Sequence, residues 1–147
     1  MEHIGFLLAD NSRLARRAFD RKMREIGVTG PQARLLLTLT RAPGENQGFY
    51  AERLEVEPIT LCRMIDRLEE ANLIERRPDP ADRRAWHLHL TDKSRKIVGR
   101  LQQKVDSLVD DMLAGLTAAD RAEFGRLLEA VRENLSERRD AVGVSDG

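Results

Sequence analysis

Between Glu57 and Thr91 the chain changes its hydrophobic period, and that change restricts the fold more than any other feature. From Pro58 to Ala71 the apolar residues Leu61, Met64, Ile65 and Leu68 recur at helical spacing, while Thr60, Arg63, Asp66, Arg67 and Glu70 fall outside the stripe. One side of this predicted helix belongs to a core and the other stays open. Leu73 and Ile74 then lead into Glu75-Arg76-Arg77, where the turn signals Pro78-Asp79-Pro80 interrupt. Trp86 to Leu90 alternates with period two, as a half-buried strand does.

A helix followed by a basic β-hairpin is the arrangement of a winged helix-turn-helix, and the flanking segments agree. Gln47 to Leu54 reads as a short helix that, with the turn Glu55-Val56-Glu57 and the helix from Pro58, completes the helix-turn-helix. Before it, Thr29-Gly30-Pro31-Gln32 has the spacing of a capping box, so a helix should run to about Arg41 on Leu35, Leu36 and Leu39. From about Ile4 to Ile26 a stripe of Phe6, Leu7, Leu14, Ala18, Met23 and Ile26 predicts a first helix, which Gly27 stops. Thr91 is placed to cap a long helix on Ile97, Leu101, Val105, Leu108 and Met112, ending near Gly115. Thr117 to Asp120 opens another, with Phe124, Leu127, Leu128, Val131 and Leu135 as its apolar face. The expected fold class is mainly α with a small β-hairpin wing. In this reading one domain spans residues 1–147: a winged core over 29–92, outer helices over 4–26 and 92–139, and an aperiodic tail over 140–147. The outer helices carry more apolar surface than so small a core covers, which argues for a second chain.

Composition narrows the function. At 147 residues and 41% hydrophobic the chain can bury a core, but 4% aromatic and 34% charged point to a leucine-rich helical protein rather than a large-pocket enzyme. With 25 basic and 25 acidic residues the formal net charge is zero, so any affinity for nucleic acid must come from a local patch. The arginines between positions 63 and 84 supply one. A single cysteine excludes an internal disulfide framework and fits a reducing, cytoplasmic compartment. No apolar run approaches the roughly 18 residues of a membrane span, and no basic leader precedes a long apolar segment, so neither membrane nor signal peptide is expected. No GxSxG, glycine-rich phosphate loop, HExxH or cysteine pair nominates an enzyme, and no cofactor is expected.

Asp82-Arg83-Arg84, then five residues, then Leu90-Thr91 has the D-x-R-x5-L-T spacing that marks the wing of the MarR family of bacterial transcription regulators, and Cys62 to Leu68 resembles that family's recognition helix. The resemblance covers nearly the whole chain, because the outer helices lie where the family's dimerisation helices lie. It implies a homodimer that binds double-stranded DNA, most simply as a repressor, with a small aromatic or anionic inducer taken between the dimerisation helices and the winged domain. The sequence departs from the pattern at Glu55, where a glycine is common, and at Phe49-Tyr50, where an acidic residue and leucine are usual. If Glu55 must adopt positive φ, the strain is on the order of 1 kcal/mol.

Arg63 is the expected base reader, since arginine makes two hydrogen bonds to guanine in the major groove. Thr60 and Arg67 share its face, and Ile59 or Cys62 is placed to meet a thymine methyl. Arg83 and Arg84 at the hairpin tip suit a narrow minor groove or the phosphates beside it. By resemblance Arg84 pairs with Asp66 or Asp82 and locks the wing, leaving Arg83 for DNA. Arg76 and Arg77 read as strand-end charges or phosphate contacts, and Trp86 as a packing anchor of the wing. Two other readings remain open: a thiol sensor at Cys62 or a metal sensor at His87 and His89, which share one strand face, and a winged module that binds protein.

Overall fold

The computed structural model describes residues 3–145 of the chain, with side chains through residue 136. It divides into two units, one ending at Val109 and one beginning at Asp110. The first contains α1 (Ile4–Arg24), α2 (Gly30–Arg41), α3 (Gln47–Leu54), α4 (Pro58–Glu70), β1 (Ile74–Pro78), β2 (Trp86–Leu90) and most of α5 (Asp92–Met112). The second contains the end of α5 and α6 (Ala118–Ser145). Helix α6 therefore reaches into the stretch expected to be a tail, and residues 146 and 147 lie outside the described residues.

The local signals act as their chemistry requires. Thr29 accepts from the Gln32 amide while Gln32 accepts from the Thr29 amide, both at 3.2 Å, so the capping box satisfies two orphan donors of α2. Asn46 caps α3 through Phe49 at 2.9 Å. Glu55 then turns the chain with φ 54 and ψ 45, a left-handed conformation that favours glycine. Helix α4 follows with Pro58 in its first turn; beyond its last residue, Glu70, Asn72 is also left-handed at φ 60, and the Leu73 amide reaches back to the Leu68 carbonyl at 2.8 Å. That closure sends the chain directly into β1.

β1 and β2 pair antiparallel, from Ile74 opposite Leu90 to Pro78 opposite Trp86. The α2–α3 loop joins their outer side: the Gly44 amide donates to the Leu88 carbonyl at 2.9 Å, and the Leu88 amide donates to Glu45 at 3.0 Å. Thr91 closes the base of the hairpin by donating to the Asn72 carbonyl at 2.5 Å, and its hydroxyl accepts from Ser94 at the start of α5.

The core gathers one face from each element. Met23, Leu35, Leu36, Leu39, Tyr50, Leu61, Ile65, Ile74, Leu88 and Leu101 are all fully buried, and each large side chain so placed contributes roughly 1.5–3 kcal/mol. Tyr50 is the largest of these side chains. Its hydroxyl donates to the Ala42 carbonyl at 2.6 Å and accepts from the Glu45 amide at 3.1 Å, so its polar end ties down the α2–α3 loop. Trp86, expected to anchor the wing, is instead 44% exposed, because it pairs with Pro78 at the open end of the hairpin, beyond the core.

On α1, Ile4, Phe6, Leu7, Leu8 and Leu14 are exposed. In the second unit Thr117 and Asp120 cap α6 reciprocally at 3.1 Å, and Phe124, Leu127, Leu128, Val131 and Leu135 are exposed along it. Among the described residues no helix is long and apolar enough to cross a membrane.

Candidate nucleic-acid interface

Helix α4 turns Leu61, Met64, Ile65 and Leu68 into the core, and its 3.6-residue period then forces Ile59, Thr60, Arg63, Asp66, Arg67 and Glu70 outward. Arg63 is exposed, as a base reader must be, and Ile59 is 64% exposed. The row combines arginine, hydroxyl and aliphatic groups, the types that address guanine, phosphate and a thymine methyl. Cys62 does not belong to it. That side chain is half-buried and its Sγ lies 3.9 Å from Arg76 Nη2, so it faces β1 and not the open side.

The hairpin tip spans residues 79–85. The Asp79 amide donates to the Ala85 carbonyl at 3.1 Å, Asp79 Oδ1 accepts from the Ala81 amide at 2.7 Å, and Asp82 Oδ1 accepts from the Arg84 amide at 2.9 Å. The two aspartates hold the backbone as turn-forming side chains do. Arg83 and Arg84 stay exposed.

The expected lock between Arg84 and Asp66 is not formed, nor does an Arg84 guanidinium pair with Asp82. Asp66 is taken by Arg76, whose Nη2 lies 2.5 Å from its Oδ1 while Nη1 lies 2.9 Å from Glu69 Oε1. β1 is packed against α4, and the arginine that reaches the helix comes from that strand. Burial disfavours the charge of Arg76, but its hydrogen bond to Asp66 and the fields of Glu69 and Asp66 outweigh that and leave its pKa raised. Arg77, by contrast, is exposed beside Glu75.

His87 and His89 share a face but not a ligand. His87 Nε2 lies 2.9 Å from Asp79 Oδ2, and the Ala81 amide with His87 lowers the Asp79 pKa. His89 has a lowered pKa, through burial first and the neighbouring Arg77 charge second. Among the described residues no group of three His, Cys, Asp or Glu side chains is placed to hold a metal ion. The spacing of residues 79–82 held the signal for the turn aspartates. The Arg76 contacts had none, because their partners lie seven and ten positions away on another element.

A cleft of about 760 Å³ lies between α1, α2 and α5 within the first unit. Arg16, Arg34 and Arg41 line it together with the apolar Phe19 and Leu37, and Asp106 is the one carboxylate among its lining residues.

A family model described as MarR family matches residues 28–86. A proposed transcriptional regulatory protein for the hcr operon of Thauera aromatica is 30% identical over 135 residues, 91% of this chain and 81% of that protein. The chain belongs to the MarR family. The apo form of MarR from E. coli shares the fold with a TM-score of 0.81 at 26% identity, over 89% of this chain and 97% of that one. A MarR variant from E. coli complexed with operator DNA matches with a TM-score of 0.72 at 26% identity, over 87% and 92%. The MarR relatives are transcriptional regulators and not enzymes, and the six helices and two-stranded hairpin among the described residues are the winged architecture they share.

Proposed function

We propose that this MarR-family regulator acts as a homodimeric, ligand-responsive repressor that sets two copies of α4 into successive major grooves of a pseudo-palindromic operator. The open face of α4 carries the reading: Thr60, Arg63 and Arg67 project from a helix whose opposite side is locked into the core. The likeness to a relative seen with operator DNA supports it. In this scheme Arg63 reads a base edge, Arg83 and Arg84 of the wing engage the minor groove or its phosphates, and half-sites recur at about 34–36 Å. The exposed apolar rows of α1 and of α6 fit a second copy of the chain as their cover, since isolated helices gain little from leaving such rows in water.

The cleft with Arg16, Arg34 and Arg41 above Phe19 and Leu37 suits a small aromatic anion: its volume falls in the range of ligand pockets, and it offers cations beside an apolar wall. Such a ligand weakens DNA binding only if it favours a conformation other than the DNA-competent one.

The test is titration of the purified protein against DNA from upstream of its own gene at several salt concentrations. With three or four phosphate contacts per subunit, log affinity should fall against log salt with a slope of roughly 5–7. A slope near zero, or equal affinity for unrelated DNA, would overturn the proposal. Adding benzoate as an aromatic-anion probe should release the DNA, and unchanged affinity at saturating probe would remove the ligand assignment.

A further inference from the structure

Arg76 is the least exposed arginine of the interface, with its side chain 16% exposed where that of Arg77 is 53% exposed. It grips α4 at three levels on one side. Nη2 lies 3.9 Å from Cys62 Sγ and 2.5 Å from Asp66 Oδ1, Nη1 lies 2.9 Å from Glu69 Oε1, and the Arg76 amide lies 3.4 Å from Glu69 Oε2. Positions 62, 66 and 69 follow one another along a single edge of a helix, so this edge runs between the buried stripe and the open face.

We propose that Arg76 is a positioning residue for DNA recognition, a fork on the wing strand that fixes the roll of α4 and neutralises the two carboxylates beside its reading face. The proposal rests on the DNA-binding reading above. A guanidinium can hold two carboxylates at once because its donors form a rigid fork, which an ammonium lacks. Roll matters because each residue on α4 sits about 100° from the next, so a small rotation carries Arg63 away from the base it meets. Charge matters because Asp66 and Glu69 remain 54% and 43% exposed. Without Arg76 both would meet an approaching phosphate backbone as bare anions.

The experiment uses the full chain as wild type, Arg76→Gln, Arg76→Lys, and Arg76→Gln combined with Asp66→Asn and Glu69→Gln. For each, binding to the operator and to unrelated DNA is measured across salt, with an unfolding curve to fix the folded fraction. Arg76→Gln should lower the ratio of operator to unrelated-DNA affinity by roughly tenfold at an unchanged folded fraction, with the salt slope unaltered. Arg76→Lys should keep the fold and lie between the two. The triple variant should regain affinity for all DNA but not the lost preference, because charge returns to balance while roll does not. A direct phosphate contact would instead lower the slope by about two per dimer and keep the preference, which overturns the proposal. An unchanged ratio in both Arg76→Gln and Arg76→Lys overturns it as well. If wild type itself shows no salt-dependent preference, the DNA-binding reading fails first, and the wild-type curve alone reports that.

Discussion

Asp20 of α1 lies against Gly30 in the first turn of α2, so closely that a Cβ on Gly30 would overlap Asp20 Oδ1. The same carboxylate oxygen sits 3.4 Å from Arg34 Nη1. The missing side chain at position 30 is what lets α1 bring an acid to the start of α2. Gly30→Ala should destabilise the protein by about 1–2 kcal/mol, because Asp20 must rotate away from Arg34. In an Asp20→Ala background the same substitution should cost nothing or stabilise slightly, alanine being the better helix former. Urea unfolding of the four proteins in this cycle checks it, and additive losses would show that the clash is not the cause.

Glu55 holds φ 54, which costs a residue with a Cβ on the order of 1 kcal/mol. Glu55→Gly should therefore raise stability by about that amount and leave DNA affinity nearly unchanged, because Glu55 is exposed and lies in the turn outside α4. A lowered midpoint in thermal unfolding would contradict it.

The Tyr50 hydroxyl serves two backbone groups of the α2–α3 loop. Tyr50→Phe keeps the ring and strands the Ala42 carbonyl and the Glu45 amide, at a cost of about 1–3 kcal/mol. Amide exchange should show the loss locally, at residues 42–46 and their partner Leu88. Uniform acceleration across the domain would point to a global effect instead.

His89 prefers its neutral form in the folded chain, through burial and then the Arg77 charge. Its folded pKa is below the ordinary 6.5, so between the two values the unfolded chain binds more protons and stability rises with pH. Stability should accordingly decline as pH falls below about 6.5 and be level above it, as far as this residue decides. His89→Gln should flatten that decline. The comparison of unfolding free energies at several pH values, with and without the substitution, isolates the contribution of His89.

If Arg63 reads a base edge as proposed, Arg63→Ala should cost roughly 1–3 kcal/mol at the operator and relax preference at one base position. Arg83→Ala should weaken binding to all DNA more evenly and lower the salt slope by about two per dimer. Operator variants tested against both proteins separate the two roles, and an Arg63→Ala protein with intact preference removes that residue from the reading face.

The elements themselves were legible because their causes are local. Four apolar positions in α4, period two in β2, the Thr29 capping box and the cap at Thr91 act within a few residues, and each formed where the spacing placed it. The exposure of Thr60, Arg63 and Arg67 followed from the same arithmetic, since a helix that buries one stripe must present the other.

Partnerships across elements were not legible. Nothing in the spacing distinguishes Arg76 from Arg77, or from Arg84, as the partner of Asp66. The pleat of β1 and the register of the hairpin decide which guanidinium points at α4, and they leave Arg84 at a tip held by backbone bonds to Asp79 and Asp82. Trp86 shows the same limit, for alternation assigns it a face but not whether that face is covered so near the end of the strand. The order of residues thus determined which segments coil, which extend and which side of each turns inward, because those choices depend on neighbours a few positions away. Which charge meets which, and which large side chain is left in water, was decided only when separate segments packed, because those energies act between groups that the chain itself does not hold together.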